Sequence, residues 1–374
     1  MSVARSILIV GGGPVGLAAA IFGRLSGHNV TLIERGRPPV DKPCGEGLMP
    51  SGVRRLSAMG VELDPEGLHS FMGVRYIDGD QVAGASFTFG EGYGCRRTYL
   101  QAAMARRAEQ LGAALHFGQE VIAVNADRGE VHTADGQTFQ AELVLACDGL
   151  RSPVRKLLNL DGPPASRPRF GMRQHYTIKP WTDHVEVYWS DTAEAYVTPV
   201  GPNRVGVAFL WSGDGERFPG LLSRFPKLQA KLGDAPIESQ VRGTGPLQVR
   251  PKAVLKGKVA LVGDAAGYYD AITGEGLTLG FAQVETVLKH FERHTLQDWP
   301  KSHKTLVFEP YLVIWLLLFI ERYPALRRRV IVALSQDSVL FEQFLQINDG
   351  LMRPQDLPIR GLLRIVWRVV WGVG

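Results

Sequence analysis

Apolar residues near the start of the chain come in short unbroken blocks. Ser6–Val10 (SILIV) has the length and β-branched content of a strand buried on both faces. Helix formers fill residues 17–25, and a second short apolar block covers 29–33 (NVTLI). Strand, turn, helix and strand fit into about 30 residues, a βαβ unit whose right-handed crossover makes the two strands parallel neighbours. Beyond it, short strands are predicted at 71–76 and 86–89. A helix follows over 97–111, with Leu100, Met104, Ala108 and Leu111 on its apolar face. Further strands are predicted at 114–117, 120–125, 130–133 and 142–147, and the pattern over 169–250 is mostly β, broken by turn residues. A buried strand returns at 258–262. After about residue 300 the pattern is helical and unusually apolar or basic.

This alternation predicts an α/β fold: a Rossmann-like doubly wound domain, an inserted, mostly antiparallel β-sheet domain, and a helical C-terminal region. The expected boundaries are 1–70, 95–168 and 252–300 for the first, 71–94 and 169–251 for the second, and 301–374 for the third. The 374 residues are 45% hydrophobic and 21% charged, which excludes a disordered or fibrous chain. Lys and Arg exceed Asp and Glu by 42 to 37, a net charge of +5 with no concentrated basic stripe, so nucleic acid is not an expected partner. Three scattered cysteines, Cys44, Cys95 and Cys147, make no disulfide framework and fit a reducing cytoplasm. No signal peptide is expected ahead of the first strand. The longest purely apolar run, 311–320, is shorter than the roughly 20 residues of a spanning helix.

Between the first strand and helix stands Gly11-x-Gly13-x-x-Gly16. Such a turn lets backbone approach a pyrophosphate while the helix N-terminus binds the phosphates. Glu34 ends the second strand, where a carboxylate can hold an adenosine ribose, and Arg35 beside it joins the candidate cofactor-binding residues. This predicts a dinucleotide without saying which. Two later segments bear on the choice. Residues 143–155 (LVLACDGLRSPVR) carry Asp148-Gly149, Ser152 and Arg155 after a buried strand. Residues 259–276 (VALVGDAAGYYDAITGEG) carry Gly263-Asp264 and Gly274-Glu275-Gly276 after another. An acid at a strand's C-terminal end can hold a sugar-alcohol hydroxyl. A ribitol-bearing cofactor would use Asp264, and a nicotinamide dinucleotide at the first turn would not.

The three motifs, in this order and at these separations, resemble those of FAD-dependent oxidoreductases: aromatic hydroxylases of the para-hydroxybenzoate hydroxylase type, geranylgeranyl reductases and flavin halogenases. The resemblance covers about residues 1–290. It implies FAD, with Glu34 at the adenosine ribose, Arg97 near the pyrophosphate and Asp264 at the ribitol. It places the backbone of Gly274, Gly276 and Leu277 near the flavin ring, and Asp148 and Arg155 toward the path of the reductant. Only one glycine fingerprint is present, so NAD(P)H is expected as a transient visitor unless a partner protein reduces the flavin.

Residues 42–50 (KPCGEGLMP) resemble the Cys-Gly-Glu segment of geranylgeranyl reductases, as does the Thr273–Gly276 run, and make Cys44 and Glu46 the candidate catalytic residues. The family's proline before that run is Ala271 here, and Tyr268-Tyr269 replace the His-containing version of the hydroxylases. The Trp-x-Trp-x-Ile-Pro segment of halogenases is absent, which disfavours halogenation. Tyr188, Trp189, Tyr196, Phe209 and Trp211 alternate along strands, as either a core face or a wall over the flavin, with His175 and Tyr176 as polar handles. His290 and His294 have metal-binding spacing but no further ligand in sight, so no metal is expected.

The leading expectation is an NAD(P)H-driven monooxygenase that hydroxylates or epoxidises a lipophilic or aromatic small molecule. A geranylgeranyl-reductase-like C=C reductase is the alternative, and a non-catalytic flavin electron-transfer protein the second. In the tail, Arg360, Arg364 and Arg368 form one helical stripe amid aliphatic residues and tryptophans. That pattern suits peripheral contact through 358–374 with the inner face of a membrane, with Arg327–Arg329 as a second contact, or packing on the protein itself.

Overall fold

The computed structural model describes residues 4–213 and 215–357. The predicted tail helix at 358–374 lies outside the described residues.

Six strands form the first sheet, in the order Leu255–Lys256, Val259–Leu261, Leu143–Ala146, Ser6–Val10, Asn29–Glu34, Ala114–Phe117. The last five run parallel. Leu143–Ala146 and Val259–Leu261 are buried throughout, as strands covered on both faces must be. Helix Pro14–Leu25 packs against helices Arg97–Gln110 and Gly276–Glu292, so the glycine turn and two later motif-bearing segments meet at one edge of the sheet.

The second large sheet has seven strands: Arg242–Thr244, Arg169–Tyr176, Arg204–Ser212, Ala193–Gly201, His184–Trp189, Gly73–Asp78, Gln81–Ser86. All neighbours are antiparallel except His184–Trp189 with Gly73–Asp78. Phe209 and Trp211 are buried here, Phe209 against Phe218 and Phe225, and Trp211 stacked on Phe170. These two belong to core faces. The strand expected at 71–76 is two strands in different sheets. Leu68–Phe71 joins a small sheet with Gly47–Leu48 and Gly92–Cys95, and Gly73–Asp78 joins the large one. The chain changes sheets at Met72, whose N–H donates to Asp183 O at 2.7 Å and whose carbonyl accepts from Phe87. The strand expected at 86–89 lies earlier, at Gln81–Ser86, because Gly79-Asp80 closes a two-residue hairpin with Gly79 at φ 59°.

The C-terminal helices Trp299–Glu321, Pro324–Ser335 and Ser338–Asn348 cover the outer strands of the large sheet and the site loops. Arg327 is fully buried, its Nε 2.9 Å from Asp78 Oδ2 and its Nη1 2.8 Å from Ser190 O. It anchors its helix to the sheet and offers nothing to a membrane, contrary to the expectation for that residue, whereas Arg328 and Arg329 are exposed. Leu296–Glu321 is also long and apolar enough to cross a membrane by length and composition, although its purely apolar core is short.

Candidate active site

Gly11 sits at φ +111°, and a Cβ on Gly16 would stand 1.8 Å from Gly11 O, so only glycine lets the helix start this close to the strand. The Glu34 carboxylate caps the turn. It accepts from the N–H of Gly12 at 2.7 Å and of Gly36 at 2.8 Å. The Arg97 guanidinium lies over the turn, with Nη2 3.3 Å from where a Gly13 Cβ would be. Gln101, four residues on along the same helix, ties the turn to the loop after the second strand. It donates to Gly12 O at 2.9 Å and accepts from Val40 N–H at 2.7 Å. Its i,i+4 relation to Arg97 was the available sequence signal.

Asp264 follows the buried strand Val259–Leu261. Among the described residues no protein hydrogen bond reaches its carboxylate. Burial holds the carboxyl above its ordinary value, against the cations of Arg97 and Lys42. Burial likewise holds the Lys42 ammonium below its ordinary value, against the pull of Glu34. Lys42 thus lies within electrostatic reach of both Glu34 and Asp264, and Arg97 within reach of Asp264, which suits a diphosphate bound among them. Cys44, Glu46, Arg97 and Leu277 line one cleft together with Leu48 and Leu100.

Asp148 Oδ2 accepts from Val154 N–H at 2.9 Å and caps a short helix, while its buried Oδ1 has no partner. Arg155 does not present a free guanidinium. Its Nε is 2.6 Å from Asp161 Oδ1, its Nη1 3.2 Å from Ala265 O and its Nη2 2.9 Å from Leu150 O. It fastens the two motif segments to each other.

Glu46 is the hub on the other side of the cleft. It is buried, and its backbone has φ 60°, unusual for a residue with a Cβ. One oxygen accepts from Arg97 N–H at 2.9 Å, and the other lies 2.5 Å from His175 Nε2. His175 Nδ1 meets Ser239 Oγ at 2.8 Å and Arg173 Nη1 at 3.1 Å, and Arg173 Nη2 pairs with Asp41 at 2.5 Å. Two segments thus reach the carboxylate directly, at Arg97 and His175, and Ser239 and Asp41 hold the second through His175 and Arg173. With both oxygens engaged, Glu46 is a positioning group for Arg97 rather than a free acid. Arg173 and His175, charged or polar at i,i+2 on a largely buried strand, were the sequence signal for this partner. Burial pushes the Cys44 thiol up, so it stands protonated and weakly nucleophilic in the cleft. Glu275 is buried and its carboxyl held well above its ordinary value by burial, and it accepts from Asn348 Nδ2 at 3.2 Å. His290 spends its ring nitrogens on Thr295 and Ser302, and the described residues hold no cluster able to bind a metal.

A family model described as FAD binding domain matches residues 4–293. The chain belongs to this FAD-binding family. It is similar to menaquinone reductase of Mycobacterium tuberculosis, 26% identical over 303 residues that are 73% of either chain. It is also similar to a digeranylgeranylglycerophospholipid reductase of Methanothermobacter thermautotrophicus, 27% identical over 73% of each, and to rifampicin monooxygenase of Rhodococcus hoagii, 28% identical over 73% of this chain and 61% of that one. Among solved structures, a flavin-dependent brominase superposes with TM-score 0.81 at 14% identity over 97% of this chain and 98% of the other. A Cytophaga hutchinsonii flavoprotein/dehydrogenase does so with TM-score 0.80 at 16% identity, over 92% of each. Likeness at that identity concerns the fold alone. The protein is an FAD-dependent oxidoreductase. The site fits that cofactor: the glycine turn leaves room that a Cβ would fill, Arg97 and Lys42 lie where a diphosphate needs cations, and the Asp264 carboxylate lacks a protein partner.

Proposed function

We propose that the protein is a monooxygenase, reduced by NAD(P)H, that acts on a lipophilic or aromatic small molecule. When bound, FAD supplies the two-electron redox centre. In the net reaction NAD(P)H and a proton are consumed with O₂, one oxygen atom enters the substrate and the other leaves as water. Glu34, Arg97, Lys42 and Asp264 hold the cofactor, and the glycine turn admits its diphosphate. The large sheet and the loops after Asp264 supply the substrate side. Tyr196 donates to Ile272 O at 2.8 Å, and Tyr268, Leu150 and Met49 belong to the same apolar cluster. Such a wall orients an apolar substrate and excludes water.

One observation carries the choice of oxygenation. The acidic groups of the Cys44-Gly45-Glu46 and Gly274-Glu275-Gly276 runs are poorly placed to protonate a reduced carbon: Glu46 is spent on Arg97 and His175, Glu275 turns to Asn348, and the Cys44 thiol is a poor acid. C=C reduction is the second reading. It is favoured by the Cys44-Gly45-Glu46 run and by relatives named for reduction of menaquinone and of a digeranylgeranylglycerophospholipid. The test is turnover of a polyprenyl quinone or aromatic substrate in detergent under ¹⁸O₂. Label in the product supports oxygenation. A product that gains two hydrogens without label, formed also under anaerobic conditions, establishes the reductase instead.

A further inference from the structure

Helix Trp299–Glu321 carries two opposed faces. Its inner face reaches the site: the Tyr311 ring lies 5.4 Å from that of Tyr269, and a Cβ on Gly267 would be 3.2 Å from Tyr311 Oη. Both ends are held by protein. Trp299 is fully buried against His303, and Glu321 pairs with buried Arg169 at 3.3 Å. The outer face is apolar and open to solvent. Phe308, Leu312, Trp315, Leu316 and Phe319 recur at helical spacing, Tyr323 continues the row just past the helix end, and Phe308 is 64% exposed. Trp315 stacks on Phe319, which packs on Tyr323. The helical part of the stripe, 308–319, runs about 17 Å at 1.5 Å per residue, and with Tyr323 it is more contiguous apolar surface than scattered exposure explains.

We infer that this stripe docks flat on an anionic lipid surface. Charge argues for that occupant. Exposed Lys301 and Lys304 precede the stripe and exposed Arg322 and Arg328 stand at its far end; of the two acids between residues 308 and 323, Glu309 is exposed and Glu321 is paired with Arg169. Cations at both ends with aromatics between them suit headgroups over an acyl boundary. The sequence of 358–374, with three arginines among aliphatics and tryptophans, has the same chemistry. A spanning arrangement does not fit, because the inner face and both ends of the helix are fixed in the protein. Docking sets Tyr311 and the loop beside Asp264 one helix diameter from the lipid, a short path for a greasy substrate. The docking is independent of whether the enzyme oxygenates or reduces, since vesicle binding is read without turnover.

The test uses the full-length FAD-loaded protein with vesicles of phosphatidylcholine alone or mixed with phosphatidylglycerol. Cosedimentation is expected with the mixed vesicles and should weaken at high salt. Combined Phe308→Ser, Trp315→Ser and Phe319→Ser should cut it at least about tenfold with FAD content unchanged. A polarity-sensitive label on Phe308→Cys should shift to the blue only when mixed vesicles are added. No binding, or equal binding by the triple variant, overturns the inference. So does a label already blue without vesicles, which makes the tail the occupant if independent of protein concentration and a second copy if dependent on it.

Discussion

The two sides of the cleft are built in opposite ways. The fingerprint side is local: residues 11–16 and Glu34 form one βαβ unit, and its key contacts, Gly12 and Gly36 N–H to Glu34, lie within that unit or just beyond it. The Glu46 side is assembled from residues 41–46, 97, 173–175 and 239, brought together only by the packing of two sheets. A local device is fixed by backbone sterics and tolerates little at one or two positions. An assembled device is fixed by buried charge, and its strength is shared among distant partners.

The largest effect expected from this contrast is on the local side. Gly16→Ala drives a methyl into Gly11 O, and should cost about 3 kcal/mol of stability and most of the bound FAD, read by thermal melting and flavin absorbance. Recovery of normal FAD content in that variant would mean that the turn is less constrained than the geometry implies. Asp264→Ala removes the unpartnered carboxylate, and should weaken FAD binding by about 1.5–3 kcal/mol, with equilibrium dialysis as the readout.

A smaller effect concerns a second assembled cluster of buried charge, in which Arg169 meets Glu194, Asp270 and Glu321. Burial pushes the Glu194 carboxyl up to about 7, helped by Glu321 and Asp270 and opposed by Arg169, which bonds it at 2.7 Å. The folded state therefore favours the protonated acid. Its stabilisation is complete below the ordinary value of 4.5 and is lost as pH rises through about 7. The Tm of the wild type should fall across that window. Glu194→Gln, which mimics the neutral acid, should flatten that part of the profile, and an unchanged slope would assign it to other groups. The smallest effect belongs to Cys44→Ala. With its thiol held protonated, Cys44 should alkylate slowly, and its loss should change stability by less than about 1 kcal/mol.

The same contrast explains what could be read from the chain. The βαβ unit, the helix at residue 97 and the strands at 114–117 and 130–133 were legible because period and turn chemistry are short-range signals. The sheet change at Met72 and the Gly79-Asp80 hairpin were not recognised, although Gly79-Asp80 is a hairpin signal. The residues of the cleft could be named by motif, yet the sequence left His175 unpaired and Arg155 facing a cofactor. Pairing of His175 with Glu46 depends on packing between sheets, and capture of Arg155 by Asp161, Leu150 and Ala265 depends on how two loops fold back.

The central claim is that Glu46 positions Arg97 for the cofactor instead of acting as an acid. FAD affinity of Glu46→Ala and Glu46→Gln, measured by titration of the apoprotein, tests it without knowledge of the substrate. Glutamine keeps the side chain's size and can still accept the Arg97 N–H, losing only the acceptor for His175, so Glu46→Gln should bind FAD within about threefold of wild type, and Glu46→Ala should lose about tenfold or more. Equal affinity of Glu46→Ala and wild type, or equal loss in both variants, would contradict the account.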